Sequence, residues 1–353
     1  MTEVYQYNNP FNLESGITIP GFNLAYTTQG QLNKKKDNVV WIFHALTANS
    51  DAAEWWPGLV GEGKLFDPEE FFIICVNMPG SCYGSTSPLD TNAATGEPYF
   101  HEFPFFTTRD MIRSYSLLKD KLGINKIYIG IGGSMGGQQL LEWSIEEPEI
   151  FETIIPIATN AAHSPWGIAF NTSQRMAIES DSSWKEKNAV AGITGMKTAR
   201  SIALLSYRNY IAYQFSQSEE PANKVSGFKS ESYQQYQGEK LANRFNAFSY
   251  YFLSKSMDAH NIGRDRGSIK LALEKIRANA IIISISSDIL FPPSEQQLLV
   301  ESIPGAVYEE IDSDFGHDGF LLEFEQIEQC IKKKLTLQGK RPQKEKVSYY
   351  GKS

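Results

Sequence analysis

The sequence predicts an α/β fold, in which helices flank a mostly parallel central sheet and a helical lid is inserted between two parts of that sheet. Three observations support this prediction. Short apolar runs of strand length alternate with segments of helical periodicity, as expected for a parallel sheet. One such run, residues 127–131, leads into a glycine-rich turn and a helix. From about residue 163 to 277, no strong β-branched run occurs.

The N-terminal third predicts strands that build one side of the sheet. Residues 16–20 and 22–27 read as antiparallel edge strands separated by turn residues. Residues 39–43 form a continuous apolar run typical of a buried parallel strand, and the loop 44–49 follows it directly. Residues 71–76 repeat this pattern and give way to a loop rich in turn formers, 77–88. The sheet therefore begins with an antiparallel edge and continues with parallel strands.

The next segments alternate between helices and strands. Apolar residues recur at helical spacing up to Leu122, and Gly123 marks the end of that helix. Residues 153–158 predict a strand despite Pro156, and residues 280–287 and 306–311 predict two more. A closing helix is expected near residues 322–335.

These elements divide the chain into four segments. The first part of the sheet domain covers residues 1–162, the helical lid residues 163–277, and the second part of the sheet domain residues 278–338. A basic tail, residues 339–353, follows. The lid is rich in aromatic residues, which we interpret as its own core or as a dimer interface.

The composition excludes several classes of protein. A hydrophobic fraction of 41% and a charged fraction of 21% are typical of a globular protein, and a net charge of -8 disfavours nucleic acid or an anionic membrane as partner. No apolar h-region begins the chain, and no apolar window has the length of a membrane span. Three scattered cysteines suit neither a disulfide framework nor a zinc site. We therefore expect a cytoplasmic protein with no bound metal.

The turn after residues 127–131 carries a G-x-S-x-G motif, residues 132–136, with Ser134 at its centre. Between a strand and a helix this motif forms a nucleophile elbow, which exposes the serine hydroxyl at the edge of the sheet. Two glycine-rich alternatives fail. The dinucleotide fingerprint would require a third glycine at Met135, and the P-loop spacing of residues 58–64 is followed by Leu65 instead of Ser or Thr.

A serine nucleophile needs a base and an orienting acid, which in α/β-hydrolases follow it in the order acid, then histidine. Asp288 and His317 satisfy this order, and each follows a predicted strand. Asp312 and Asp314 compete for the role of the acid but lie too close to His317 in the sequence. The remaining histidines do not follow the final strand: His44, His101, His163 and His260. Ser134, Asp288 and His317 are thus the predicted triad.

The oxyanion hole and the acyl acceptor complete the predicted chemistry. In α/β-hydrolases one amide comes from the loop after the strand 39–43 and another from the residue after the nucleophile, which identifies Leu46 and Met135. Such a site forms an acyl-enzyme. Water as acceptor makes it a hydrolase, whereas an alcohol held under a lid that excludes water makes it a transferase.

Several long motifs, in the same order along the chain, resemble those of the homoserine O-acetyltransferase family within the α/β-hydrolase superfamily. The similarity extends from about residue 21 to residue 323. The segments that carry it are G-G-S-M-G-G-Q-Q-L-L-E-W, H-A-L-T, N-M-P-G-S-C-Y-G-S-T-S-P, A-R-S-I-A-L-L-S-Y-R, E-S-Y-Q-Q-Y-Q-G, M-D-A-H-N-I-G-R-D-R-G, S-S-D-I-L-F-P-P and G-H-D-G-F-L. Asn246 and Phe248 depart from the pattern, since an acid and a polar residue are expected there.

The resemblance implies acetyl transfer from acetyl-CoA, a co-substrate with no further cofactor, to the hydroxyl of L-homoserine in methionine biosynthesis, by a ping-pong route through acetyl-Ser134. It also implies that Arg200 binds the homoserine carboxylate, with Tyr207 nearby, and that Asp318 binds the amino group. We expect a homodimer formed through the lid. The alternatives are a homoserine O-succinyltransferase or a serine O-acyltransferase of the same fold and, less favoured, a carboxylesterase.

Overall fold

The computed structural model describes residues 2–219 and 223–337, and within them one large sheet organises the chain. Eight strands of the described residues form this sheet in the order β1-β4-β6-β5-β7-β8-β9-β10, and β2 pairs with β3 separately. The strands are β1 (Thr2–Tyr7), β2 (Phe11–Asn12), β3 (Thr18–Ile19), β4 (Phe22–Gln29), β5 (Val39–Phe43), β6 (Phe72–Val76), β7 (Ile127–Gly133), β8 (Phe151–Ile157), β9 (Asn279–Ile285) and β10 (Val307–Ile311).

Helices connect and cover these strands. The helices are α1 (Ala52–Trp55), α2 (Thr108–Leu122), α3 (Met135–Glu146), α4 (Pro165–Glu179), α5 (Ile193–Tyr207), α6 (Tyr210–Gln217), α7 (Lys229–Ala242), α8 (Ala247–Asp258), α9 (Ile269–Leu273), α10 (Pro293–Ser302) and α11 (Phe324–Leu337). Short 3-10 helices occur at Phe100–Glu102 and Gly316–Leu321.

The sheet is parallel except at one edge. The pairs β6-β5, β5-β7, β7-β8, β8-β9 and β9-β10 are parallel, whereas β1-β4 and β4-β6 are antiparallel. This arrangement confirms the predicted α/β fold with a mostly parallel sheet. Parallel neighbours bring their carboxyl ends to the same edge of the sheet, where ligands of open α/β sheets bind.

Apolar side chains fill both faces of the sheet. Along β5, Trp41 points into one cluster and packs edge-on against Trp143 of α3, with the ring centroids 4.8 Å apart. Val40 and Ile42 point into the cluster on the opposite face, which contains Ile327 of α11. A strand buried on both sides needs apolar residues at consecutive positions, which is why the run at β5 could be recognised in the sequence.

The segment between β8 and β9 is helical. Its described residues contain α4 to α9 and no strand, and α5 packs against both α4 and α7. The exact boundaries of the lid, residues 163 and 277, stay a prediction. The predicted basic tail, residues 339–353, and residue 338 lie outside the described residues. Among the residues that are described, no helix is both long enough and apolar enough to traverse a bilayer.

Three buried histidines make the stability of this fold sensitive to acid. Burial lowers the pKa of His44 from 6.5 to about 4, and burial also lowers the pKa values of His163 and His260 to about 3. Below about pH 6.5 the unfolded chain binds protons at these imidazoles, whereas the folded chain keeps them neutral. The free energy of unfolding should therefore fall on acidification, by up to about 1.4 kcal/mol per pH unit for each histidine.

Urea denaturation at about pH 7, 6 and 5 measures this effect. The exposed His101 supplies a matched control, because a His101→Asn variant should retain the pH dependence of the wild type. A free energy of unfolding that stays constant over this range would contradict the assignment of three neutral, buried imidazoles.

Candidate active site

Ser134 occupies the sharp turn between β7 and α3. Its backbone has φ 57° and ψ -127°, a left-handed conformation that costs energy for a residue with a side chain. The turn also needs close backbone approach, since a Cβ at Gly136 would lie 2.1 Å from the carbonyl oxygen of Phe43. Ser134 accepts a hydrogen bond at its backbone oxygen from Thr159 Oγ1, at 2.8 Å. The strained conformation is therefore fixed by its surroundings, as in a nucleophile elbow.

Asp288 follows β9 and accepts three hydrogen bonds. Its Oδ1 accepts from the backbone amides of Leu290 and Phe291, at 2.8 and 2.9 Å, and its Oδ2 lies 2.6 Å from Nδ1 of His317. The side chain has no exposed surface. A carboxylate held by two amides is fixed in orientation, and its free oxygen selects the imidazole tautomer that carries the proton on Nδ1.

His317 lies in the 3-10 helix that follows β10, and aromatic rings surround its imidazole. Phe291 stacks on it with centroids 5.0 Å apart, and Phe320 and Tyr207 lie 5.2 and 5.8 Å away. Gly316, at φ 64°, lets the end of α5 approach, because a Cβ there would lie 2.9 Å from the Tyr207 carbonyl oxygen. With Nδ1 bound to Asp288, Nε2 is the nitrogen left to exchange a proton with a reacting group.

A single pocket of about 310 Å³ brings most of the predicted residues together. No hydrogen bond joins Ser134 Oγ to His317 among the described residues, and such contacts are commonly long before substrate binds. Six predicted residues line this pocket: Leu46, Ser134, Arg200, Tyr207, His317 and Asp318. Asp288 and Met135 do not line it. Asp288 contacts Nδ1 of His317, and the Met135 side chain is fully buried, although only its backbone amide was expected to take part.

Different parts of the structure position the two candidate oxyanion amides. Met135 is the first residue of α3, so its amide is one of the N-terminal groups that lack an intrahelical acceptor. Leu46 lies one residue beyond Ala45, whose carbonyl oxygen is 2.9 Å from Nδ1 of the buried His44. His44 Nε2 accepts from the Met78 amide at 3.1 Å, which requires a neutral ring in agreement with its lowered pKa of about 4. The core thus fixes the start of the oxyanion loop.

The predicted substrate residues lie on the lid side of the pocket and beside His317. The Arg200 guanidinium sits over the Tyr207 ring, 5.4 Å from its centroid. Asp318 accepts a hydrogen bond from Arg208 Nε at 3.1 Å. Burial raises the pKa of Asp318, while the charges of Arg208, Arg200 and His317 act in the opposite direction. Arg200 and Asp318 therefore offer a guanidinium and a carboxylate, the pair that an amino acid requires.

The fold is also recognised in comparisons with known proteins. The family described as having an alpha/beta hydrolase fold matches residues 38–324. A homoserine O-acetyltransferase from Cyclobacterium marinum is 49% identical, and the alignment covers 94% of each chain. The chain belongs to the homoserine O-acetyltransferase family of α/β hydrolases.

Solved structures agree with this family and with its fold. The crystal structure of a homoserine O-acetyltransferase from Bacillus anthracis aligns with a TM-score of 0.86 at 25% identity, over 94% of this chain and 96% of that one. The structure of an esterase, E22, aligns with a TM-score of 0.84 at 21% identity, over 94% and 99% of the two chains. The likeness to the esterase concerns the fold alone, so the acceptor must be inferred from the pocket.

Sequence reasoning missed three cationic residues of this homoserine O-acetyltransferase site. Arg208 was adjacent to the predicted Tyr207, and that adjacency was the available signal. Lys240 lies in the last turn of α7 and Arg244 just beyond it, and both line the pocket. Nothing in their local sequence indicates which way these two side chains point, because only the packing of the lid decides it.

The two departures from the family pattern have structural roles in the lid. Asn246 is the N-cap of α8, and its side chain accepts a hydrogen bond from the Ser249 amide at 2.8 Å, a role that Asn and Asp fill equally well. Phe248 is fully buried and packs against Trp184 and Phe100, with ring centroids 4.9 and 5.3 Å away. Neither residue lines the pocket.

Proposed function

We propose that this protein transfers an acetyl group from acetyl-CoA to the hydroxyl of L-homoserine, with Ser134, His317 and Asp288 as the catalytic triad. The observation that carries the proposal is the 2.6 Å contact between Asp288 and His317 at the wall of the pocket that Ser134 also lines. The chain is 49% identical to a homoserine O-acetyltransferase over 94% of its residues, and this similarity supports the choice of substrates.

The first half-reaction acylates the enzyme. His317 Nε2 takes the proton of Ser134 Oγ, and the oxygen attacks the thioester carbonyl carbon of acetyl-CoA. The amides of Leu46 and Met135 hold the negative charge that develops on the carbonyl oxygen, a contribution typically worth about 3–4 kcal/mol for each donor. Collapse of the tetrahedral intermediate breaks the carbon–sulfur bond, and His317 returns the proton to the CoA thiolate.

The second half-reaction transfers the acetyl group. His317 Nε2 takes the proton of the homoserine hydroxyl, and this oxygen attacks the carbonyl carbon of acetyl-Ser134. Collapse breaks the bond to Ser134 Oγ, which recovers its proton from His317. Acetyl-homoserine leaves, and the free enzyme is restored without any cofactor beyond the co-substrate.

The pocket supports an amino acid alcohol as acceptor in preference to water. In the proposed complex, Arg200 binds the homoserine carboxylate beside Tyr207, and Asp318 binds the ammonium group; all three residues line the pocket. Arg208 occupies Oδ2 of Asp318, which leaves Oδ1 for the substrate and favours the ionised carboxylate. An acceptor held at both ends reacts in preference to untethered water because its hydroxyl is already oriented toward the acyl group.

Removing the carboxylate-binding group should affect the acceptor alone. An Arg200→Met variant is expected to raise the KM for homoserine about 10- to 100-fold, the loss of one charge-assisted hydrogen-bonded pair. Acylation by acetyl-CoA alone should keep its rate. Steady-state kinetics with varied homoserine, together with rapid-quench measurement of acylation, separates the two effects.

Lys197 provides the matched control for this prediction. It lies one helical turn before Arg200 on α5, carries the same charge and pairs with Glu239 away from the pocket. A Lys197→Met variant should retain the wild-type KM. An unchanged KM for homoserine in Arg200→Met would exclude Arg200 as the carboxylate ligand.

The substrates themselves are tested by offering acetyl-CoA or succinyl-CoA, each with homoserine or serine, and following thiol release. The proposal expects turnover with acetyl-CoA and homoserine. Turnover with succinyl-CoA or with serine would favour the homoserine O-succinyltransferase or serine O-acyltransferase alternatives. Rapid thiol release with acetyl-CoA and no amino acid would indicate an esterase.

The proposal includes a homodimer formed through the lid and a cytoplasmic location. Exposed apolar side chains on α6 support the dimer, since Tyr210, Ile211 and Phe215 are 75%, 53% and 91% exposed. Light scattering coupled to size exclusion measures the mass in solution and tests the dimer directly.

A further inference from the structure

Arg244 connects the lid to the oxyanion loop. It lies between α7 and α8, and its Nη1 donates hydrogen bonds to the backbone oxygen of Thr47 and to the Tyr83 hydroxyl, the latter at 2.6 Å. Its own backbone oxygen accepts from Cys82 Sγ at 3.5 Å, and the neighbouring Phe245 ring packs against Tyr83 with centroids 5.8 Å apart. The segment that carries Arg244 is therefore anchored, and its guanidinium is held at the loop by these hydrogen bonds.

The loop that receives this hydrogen bond contains the candidate oxyanion residue Leu46. The amide of Ala48 donates to the carbonyl oxygen of Ala45 at 3.0 Å, which makes residues 45–48 a tight turn with Leu46 and Thr47 at its two central positions. His44 holds the Ala45 carbonyl from the core side. Arg244 holds the Thr47 carbonyl from the lid.

The middle peptide of a tight turn, here the one between Leu46 and Thr47, reorients most easily, because the hydrogen bond of the turn joins only the groups on either side of it. An oxyanion donor, by contrast, must be fixed before the reaction to be effective. Arg244 donates to the Thr47 carbonyl oxygen, so the peptide group that follows this middle peptide is also held.

We propose that Arg244 is a positioning residue that holds the 45–48 turn so that the Leu46 amide points at the developing oxyanion. The inference rests on the proposed acyl-serine mechanism and adds to it a residue that acts through the loop and not on the substrate. It also makes the oxyanion hole depend on the lid, because Arg244 belongs to the lid whereas Thr47 lies in the sheet domain, 197 positions away in the chain.

A different role for Arg244 has a different kinetic signature. Arg244 lines the pocket together with Arg200 and Lys240, and such a cluster of positive charge attracts phosphate groups of the acyl donor. A phosphate-binding residue would alter only the KM for acetyl-CoA. A positioning residue would alter the rate of acylation with every donor, including one without phosphate.

The experiment compares acetyl-CoA with p-nitrophenyl acetate, which lacks phosphate groups, and measures the acylation burst of the full-length protein. Arg244→Met should lower the acylation rate constant about 10- to 100-fold with both donors, the cost of a misplaced oxyanion donor, with KM nearly unchanged. Arg244→Gln, which retains a donor without the charge, should recover part of the rate.

The charge-matched Lys197→Met variant, whose side chain pairs with Glu239 away from the pocket, serves as the control, and thermal unfolding of each variant shows whether it folds. If Arg244→Met fails to fold, the Gln variant alone carries the comparison. A higher KM for acetyl-CoA with unchanged acylation by p-nitrophenyl acetate would overturn the inference in favour of phosphate binding. Unchanged rates with both donors would overturn it as well. Failure of the acyl-serine mechanism would be seen separately, as the absence of a burst in the wild type.

Discussion

Replacing Ser134 with Ala is expected to lower kcat by about four to six orders of magnitude, because no other group can form the acyl-enzyme. The backbone turn should survive, since its conformation depends on the packing around Gly136 and on hydrogen bonds made by backbone atoms of Ser134. Thiol release from acetyl-CoA in the presence of homoserine measures the loss. Mass spectrometry of the wild type incubated with acetyl-CoA alone should find one added acetyl group on the peptide that contains Ser134.

Ser173 offers a matched control for this substitution. It is an exposed serine on α4, and its hydroxyl donates to the Ala169 carbonyl oxygen at 3.0 Å within the same helix. Ser173→Ala should retain full turnover. A Ser134→Ala variant with a turnover rate near that of the wild type would rule out an acyl-serine intermediate for any pair of substrates.

Replacing Asp288 with Asn is expected to lower kcat by about 10⁴-fold while leaving the KM values close to those of the wild type. The amide nitrogen of Asn cannot accept the Nδ1 proton of His317, so the imidazole loses the tautomer that presents a basic Nε2 to Ser134. The orientation of the side chain should persist, because the Leu290 and Phe291 amides can still donate to the remaining oxygen. Steady-state kinetics with both substrates varied tests the prediction.

The two competing acids supply the controls. Asp312 and Asp314 are exposed residues in the same segment as His317, and Asp312 Oδ1 accepts a hydrogen bond from Ser286 Oγ at 3.2 Å. Asp312→Asn and Asp314→Asn should each retain most of the activity. If either of them lost activity as severely as Asp288→Asn, the assignment of the orienting acid would be wrong.

The parts of the fold that could be predicted are those with a local signature. The parallel strands were visible because burial on both faces demands consecutive apolar residues, as in β5 with Val40, Trp41 and Ile42. The end of α2 was visible at Gly123, which takes a left-handed conformation with φ 67°. β1 was not predicted as a separate element, because it is an edge strand whose residues are mostly exposed and show no continuous apolar run.

The residues of the site likewise divide into those that the sequence predicted and those that it did not. Ser134, Asp288 and His317 were found from motif and chain order, since a parallel sheet places the residues that follow its strands at one edge. The sequence contained no sign that Arg208 would contact Asp318, 110 positions away, or that Arg244 would contact Thr47. Each of these contacts depends on how the lid helices pack on the sheet domain.

By itself, the sequence determined the α/β architecture, the nucleophile turn and the order of the triad, because each follows from constraints within a few neighbouring residues or from the rule that parallel strands end together. Only the tertiary structure decided which lid cations face the pocket, and that Arg208 holds the Asp318 carboxylate and Arg244 the Thr47 carbonyl. Such pairings join charged side chains whose orientation is set by packing across long separations in the chain, and no short stretch of sequence encodes that geometry.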